Sequence, residues 1–179
     1  MNLAPVLNQI LGIFTVFAQV IIVFLGIFLI TKKPSFFQLS GKKAFFLAFI
    51  VVLTSAIGSL VYSNVIGYDP CELCWLQRTM MYPQVIILGM ALLKKDYKIG
   101  DYSIALSIVG AFIAGYQYLL QIGVAPVIPC SAFQNSSPCS ERFVMQYGYI
   151  TIPLMALSAF VLIIFLLLAH KRSGVGSDT

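Results

Sequence analysis

Five uninterrupted apolar stretches leave this chain few ways to fold. They run over Gln9–Ile30, Ala44–Val65, Trp75–Leu93, Tyr102–Ile122 and Ile150–Ala169. Each is close to the roughly 20 residues a helix needs to cross about 30 Å of hydrocarbon. In lipid, backbone amides and carbonyls must be satisfied within the segment or in a closed barrel. None of the stretches alternates with period two, so transmembrane helices are expected and a barrel is not. The third is the least apolar, with Gln77 and Arg78 near its start and Pro83 inside it. Composition agrees: only 9% of the 179 residues are charged, against about a quarter in a soluble domain.

The charges orient these spans. Lys32, Lys33, Lys42 and Lys43 follow the first span, Lys94, Lys95 and Lys98 follow the third, and Lys171 and Arg172 follow the fifth. Of the 11 basic residues, only Arg78 and Arg142 fall on the other side. The positive-inside rule then places the N-terminus outside and the C-terminus in the cytoplasm. Deleting the third span would put the Lys94 cluster outside and spoil this segregation. The formal charge of +5 does not indicate a nucleic-acid partner, because no basic run is interleaved with aromatics on a polar surface. The first span has no basic residue before it and no A-x-A-like cleavage site. Its apolar run also exceeds a signal-peptide core, so it is expected to be retained as a helix.

All four cysteines fall on the outer side under this topology. Cys71 and Cys74 lie in the short loop before the third span, and Cys130 and Cys139 in the longer loop of about Gly123–Tyr149. That is the side on which disulfides persist. The Cys71-Glu72-Leu73-Cys74 spacing lowers the pKa of one thiol. Pro70 suits the turn into a helix, and Cys74 then lies in its first turn, where free amides and the macrodipole favour a thiolate. Arg78 lies one turn deeper on the same face, placed to stabilise that thiolate or an anion developing on an acceptor beside it. An arginine near a span end is more often an interfacial anchor reaching a lipid head group. Its position one turn below a CxxC favours the redox role.

Other uses of the cysteines fit less well. A structural zinc would draw on two pairs of unlike spacing, Cys-x2-Cys and Cys-x8-Cys, of which only the first resembles a zinc half-site. Inert structural disulfides are a second reading, but a Cys-x2-Cys bridge closes almost no loop and constrains little. The segment from Val127 to Cys139 is small, polar and proline-punctuated, with Pro129 and Pro138 before its cysteines. It reads as a mobile loop whose disulfide an attacking thiolate can reach. Phe143, Val144 and Tyr147 share helical spacing, so either a short interfacial helix or an irregular return is open there. Gln117 and Gln121 share a face near the outer end of the fourth span, as glue between helices or as contacts to a polar head group near Arg78. His170, beside Lys171 and Arg172, reads as an interface residue.

Pro70-Cys71-Glu72-Leu73-Cys74-Trp75-Leu76-Gln77-Arg78, followed by Met81-Tyr82-Pro83, resembles the CxxCxxxR signature of the DsbB disulfide-formation family. The Cys-Trp-x-Gln-Arg run, the close second pair and Gly148-Tyr149-Ile150-Thr151-Ile152-Pro153 are most similar to its BdbC-like branch. The resemblance covers about Ala44–Ala169. It implies an all-α integral membrane protein: a four-helix transmembrane bundle (44–170), preceded by one extra N-terminal transmembrane helix with a basic cytoplasmic loop (1–43). A cytoplasmic tail (171–179) follows.

The activity it implies is that of a protein-dithiol:quinone oxidoreductase in the bacterial cytoplasmic membrane. Such an enzyme reoxidises a DsbA- or BdbD-like thioredoxin-fold partner and passes two electrons to menaquinone or ubiquinone. On that resemblance Cys130 and Cys139 accept electrons from the partner, with Cys130 taking the mixed disulfide. Exchange onto Cys71 and Cys74 follows, with Cys74 facing the quinone. Arg78, Gln77, Gln117 and Gln121 are the expected cofactor-binding residues, and no metal is expected. The sequence departs from the family pattern in its extra first span and in the nine-residue offset between Cys130 and Cys139. The vitamin K epoxide reductase family also combines a four-helix bundle, two outer cysteine pairs and a quinone, but there the loop pair precedes the CxxC.

Overall fold

The structure, a computed structural model, describes residues 3–31, 41–124, 139 and 144–174. Cys130, Lys32, Lys33, Arg142 and the tail 175–179 lie outside the described residues. Five long helices account for most of what is described: α1 (Leu3–Thr31), α2 (Gly41–Asn64), α3 (Glu72–Lys94), α4 (Gly100–Gln121) and α5 (Ile152–Gly174). Each overlaps one apolar stretch, with ends shifted by one to six residues; α5, for example, begins at Ile152 rather than Ile150 and runs on to Gly174. Among the described residues, α1, α2, α4 and α5 are long and apolar enough to cross a membrane. The remaining helix, α3, has the length but carries Gln77, Arg78 and Gln84.

The elements begin and end where local chemistry dictates. Pro5 and Pro153 lie near the starts of α1 and α5, where a missing backbone N–H costs no intrahelical bond. Helix α3 opens at Cys71, in an extended conformation, and the Trp75 amide bonds the Cys71 carbonyl at 3.1 Å. It closes on Lys95, whose left-handed φ of 56° turns its amide back to Ala91. A single 3-10 turn, Tyr97–Ile99, capped by the Asp96 carboxylate, is the whole link to α4. So short a link makes α3 and α4 antiparallel neighbours.

Helices α2, α3, α4 and α5 close into a ring in which each touches the next, and α1 lies outside it against α5. The core is built on Phe45, Val52, Leu88, Phe160 and Ile163, all fully buried. Gly110 on α4 is the point of closest approach: a Cβ there would lie 2.8 Å from Phe160 Cε2 and closer still to Cζ. Deep in the bundle, Gln84 accepts from Ser103 Oγ at 2.6 Å and Ser107 Oγ at 3.0 Å and donates to the Met80 carbonyl at 2.9 Å. That node ties α3 to α4 beside Pro83, with every member inside the protein. Outward-facing side chains are apolar, Phe14, Phe17, Val23, Phe24 and Phe112 among them. A multi-pass helical membrane protein shows such a surface to lipid, and a water-soluble bundle does not.

The two ends of the bundle differ in chemistry. Lys42, Lys94, Lys95, Lys98 and Lys171 gather at one end, with an exposed Lys171–Asp101 ion pair of 3.0 Å. His170 is packed there against Phe45 and Tyr97, ring centroids 5.3 and 5.1 Å away. Cys71, Cys74 and Cys139 occupy the other end. Residues 144–150 are not helical: Gln146 and Ile150 exchange backbone bonds of 2.9 Å around a tight turn. Tyr147 and Gly148 both have positive φ, as a type I′ turn requires. The short helix that the Phe143–Tyr147 spacing allowed is therefore replaced by a turn over 144–150, because Gly148 supplies the left-handed backbone that breaks helical continuity.

Candidate functional site

At the cysteine end, Cys71 and Cys74 stand on the first turn of α3 with their sulfurs 3.0 Å apart. A separation of three residues places both on one face of a helix start, so the pair converges from local geometry alone. Cys71 is buried, with 3% of its surface exposed, and Cys74 is partly open. Both precede Trp75, where the apolar part of α3 begins.

Helix α4 supplies what the motif lacks. The Nε2 of Gln117 donates to Cys71 Sγ at 3.1 Å and to Cys74 Sγ at 3.2 Å. Its Oε1 accepts from Gln77 Nε2 at 2.6 Å, which fixes the amide with its donors toward the sulfurs. Gln77 and Gln117 are both buried. The two thiols are thereby made unequal. The Cys74 thiol is held below its ordinary value, first by the hydrogen bond from Cys71, then by Gln117 and the Arg78 charge, against the cost of burial. The Cys71 thiol is pushed up by the same shared hydrogen bond and by burial. A proton shared between them thus rests on Cys71 and leaves Cys74 as the thiolate.

Arg78 is near this pair but is anchored elsewhere. Its Nε donates to Ser59 Oγ at 2.9 Å and a terminal nitrogen donates to the Ser59 carbonyl at 3.0 Å. The guanidinium also lies over the Trp75 ring, 5.2 Å from its centroid. Ser59 has no signature of its own in the sequence, and nothing short of the α2–α3 packing pairs it with Arg78. Gln121 is buried one turn beyond Gln117 on α4.

Cys139, from the long loop, packs with Cys71 and Leu120 in one buried cluster flanked by Leu73, Cys74 and Tyr116. Three of the four cysteines expected at the site are therefore together. Cys71, Cys74 and Cys139 are free thiols, and Cys130 lies outside the described residues. No three His, Cys, Asp or Glu side chains among the described residues form a metal-ligand group. When Cys71 and Cys74 are joined as a disulfide, a thiolate at Cys139 is placed to exchange with it.

A helical membrane bundle carrying an activated CxxC at one end, with a further thiol packed against it, defines a membrane thiol–disulfide oxidoreductase. The chain belongs to the DsbB family: the family "Disulfide bond formation protein DsbB" matches residues 41–170. Disulfide bond formation protein C of Bacillus subtilis (strain 168) is 40% identical over 126 residues, 69% of this chain and 89% of that protein. A probable disulfide formation protein C 1 of Bacillus anthracis is 39% identical over 120 residues, 67% and 86% of the two chains. A probable disulfide formation protein of Oceanobacillus iheyensis is 41% identical over 127 residues, 70% and 87%. No solved structure matches the chain. The family region begins at the start of α2, so α1 lies wholly outside it.

Proposed function

We propose that the protein is a thiol oxidase of the bacterial cytoplasmic membrane. On this reading it reoxidises a thioredoxin-fold dithiol partner of the DsbA or BdbD kind and delivers the electrons to a membrane quinone. The observation that carries the reading is the convergence of Cys71, Cys74, Cys139 and Gln117 at the end of the bundle opposite the lysines. By the positive-inside rule that end faces outward, with the N-terminus outside and the C-terminus in the cytoplasm.

The relay begins with the Cys130–Cys139 and Cys71–Cys74 pairs both oxidised. A partner thiolate attacks Cys130 and expels Cys139 as thiolate. Cys139 then attacks Cys71, to which it is adjacent, breaking the Cys71–Cys74 bond and releasing Cys74. A low-pKa thiol is the better leaving group, and Cys74 is the thiol held low. The second partner thiol displaces Cys130 and leaves with a new disulfide. Cys130 then resolves the Cys71–Cys139 bridge, restoring its own disulfide and leaving Cys71 and Cys74 reduced.

The residues around Cys74 fit a quinone. Trp75 and Leu76 present an exposed apolar face, and Arg78 places a fixed cation beside it. A quinone supplies a lipid-soluble acceptor for two electrons and two protons, which closes the cycle by re-forming the Cys71–Cys74 disulfide. Arg78 favours negative charge at that position, and Gln117 and Gln77 hold Cys74 as the thiolate that donates.

The test is to mix the purified protein with a reduced thioredoxin-fold dithiol and a soluble quinone and follow quinone absorbance. Turnover should be lost when Cys71 and Cys74 are both changed to serine. Quinone reduction no faster than in that double variant would sink the reading.

A further inference from the structure

Helix α1 has no part in the relay and lies outside the family region, yet its cysteine-end half is bonded to three separate elements. Asn8 Oδ1 accepts from Tyr62 Oη of α2 at 2.9 Å. Gln19 accepts from Tyr149 Oη at 3.2 Å and donates from its amide nitrogen to Ser158 Oγ of α5 at 3.4 Å. The tight turn itself rests on α1 at Gly12, where a Cβ would meet Tyr147 Cε2 at 3.4 Å and Gln146 Cβ at 3.5 Å. A Cβ there would only touch the turn, whereas a side chain as long as leucine would have to displace the ring. Elsewhere on α1, Phe14, Phe17, Val20 and Phe24 present exposed hydrocarbon to lipid. Two polar side chains of this helix, Asn8 and Gln19, thus reach the turn and the helices beside it.

We propose that α1 is a brace for the cysteine relay: it clamps the 146–150 turn through Gly12 and Gln19 and so holds Cys139 within reach of Cys71. Only four residues lie between Cys139 and Val144, where the chain is again buried. The five steps from that root back to Cys139 span at most about 18 Å at 3.3–3.6 Å per residue. Fixing the root limits the volume the Cys139 sulfur can sweep about its position beside Cys71. The effective concentration of an intramolecular nucleophile rises as that volume shrinks. Freeing the turn from α1 enlarges the volume and slows attack without altering either sulfur.

The purpose of the brace rests on the relay proposed above, but its test needs neither partner nor quinone. In full-length protein carrying Cys74→Ser and Cys130→Ser, a diazene oxidant takes two electrons and two protons from Cys71 and Cys139 and bridges them. Quenched samples report the bridge by gel mobility, and alkylation of Cys71 reports whether the bundle is intact. Gly12→Leu, Gln19→Leu and Tyr149→Phe, each made separately, should slow bridging at least threefold with Cys71 alkylation unchanged. Phe17→Ala, on the lipid face of the same helix, should bridge at the parent rate. Tyr149→Phe removes one hydroxyl only, so it keeps the test open if a larger change unfolds the helix. Bridging at the parent rate in all the brace variants would overturn the brace alone, as would slowing matched by faster Cys71 alkylation. A parent that never bridges would remove the relay reading and the brace together.

Discussion

The side-chain amide of Gln117 lies 3.2 Å from the sulfur of Cys74, donated from a helix 43 residues further along the chain. The same nitrogen reaches Cys71 at 3.1 Å, and Gln77 fixes the amide's orientation from behind. The motif supplies the two sulfurs, and α4 supplies the group that makes them unequal. Four predictions follow from that division of labour and from the packing that maintains it.

Replacing Gln117 by methionine removes both donors while keeping an unbranched side chain of similar length. A hydrogen bond to a charged group contributes about 1.5–3 kcal/mol, so at about 1.4 kcal/mol per unit the Cys74 thiol should rise by roughly one to two pH units. In the wild type the lowered Cys74 value stabilises the reduced protein. That stabilisation is complete above the ordinary thiol value of about 8.5 and is lost as pH falls through the lowered one. Thiolate absorbance of the reduced protein, titrated with acid, checks both. Identical curves for wild type and Gln117→Met would show that the amide does not set the thiolate.

Arg78→His should raise the apparent KM for quinone about tenfold, the equivalent of about 1.4 kcal/mol, with helical content unchanged. The imidazole cannot reproduce the fork that grips Ser59 through two nitrogens. Ser59→Ala removes one of those two acceptors and should move KM in the same direction by a smaller factor. Steady-state quinone kinetics on both variants decide it, and a KM unchanged in either would count against the anchored cation.

Cys139→Ser should separate the two halves of the relay. Oxidation of a protein dithiol should fall by roughly two orders of magnitude or more, because the thiol next to Cys71 is gone. A small dithiol that reaches Cys71 and Cys74 directly should still drive quinone reduction at close to the wild-type rate. Parallel assays with the two reductants measure the split, and equal losses in both would mean Cys139 is needed for more than relay.

Gly110→Ala should destabilise the bundle by about 1–3 kcal/mol, the usual cost of overpacking a core. The new methyl group would overlap the Phe160 ring. Phe160→Leu in the same chain should return part of the loss, giving a coupling energy in a double-mutant cycle. Unfolding in detergent reads all four species, and strictly additive effects would place the strain somewhere other than Phe160.

The order of residues alone specifies the five helices, because apolar length in lipid admits almost no other backbone. It also separated the basic residues from the cysteines along the chain, and it brought Cys71, Cys74 and Arg78 onto neighbouring turns through helical spacing. The return over 144–150 was ambiguous in the sequence, since the same residues carried helical spacing and a Tyr147-Gly148 pair able to take positive φ. Tertiary structure decided everything that depends on the rotation of one helix against another. Periodicity fixes which residues share a face but not which neighbour that face meets. The meetings of Gln117 with the sulfurs, of Ser59 with Arg78 and of Cys139 with Cys71 each join parts of the chain that spacing leaves unrelated. The same holds for α1: its length and apolarity announced a membrane helix, and only its packing revealed Gly12 and Gln19 against the turn that follows Cys139.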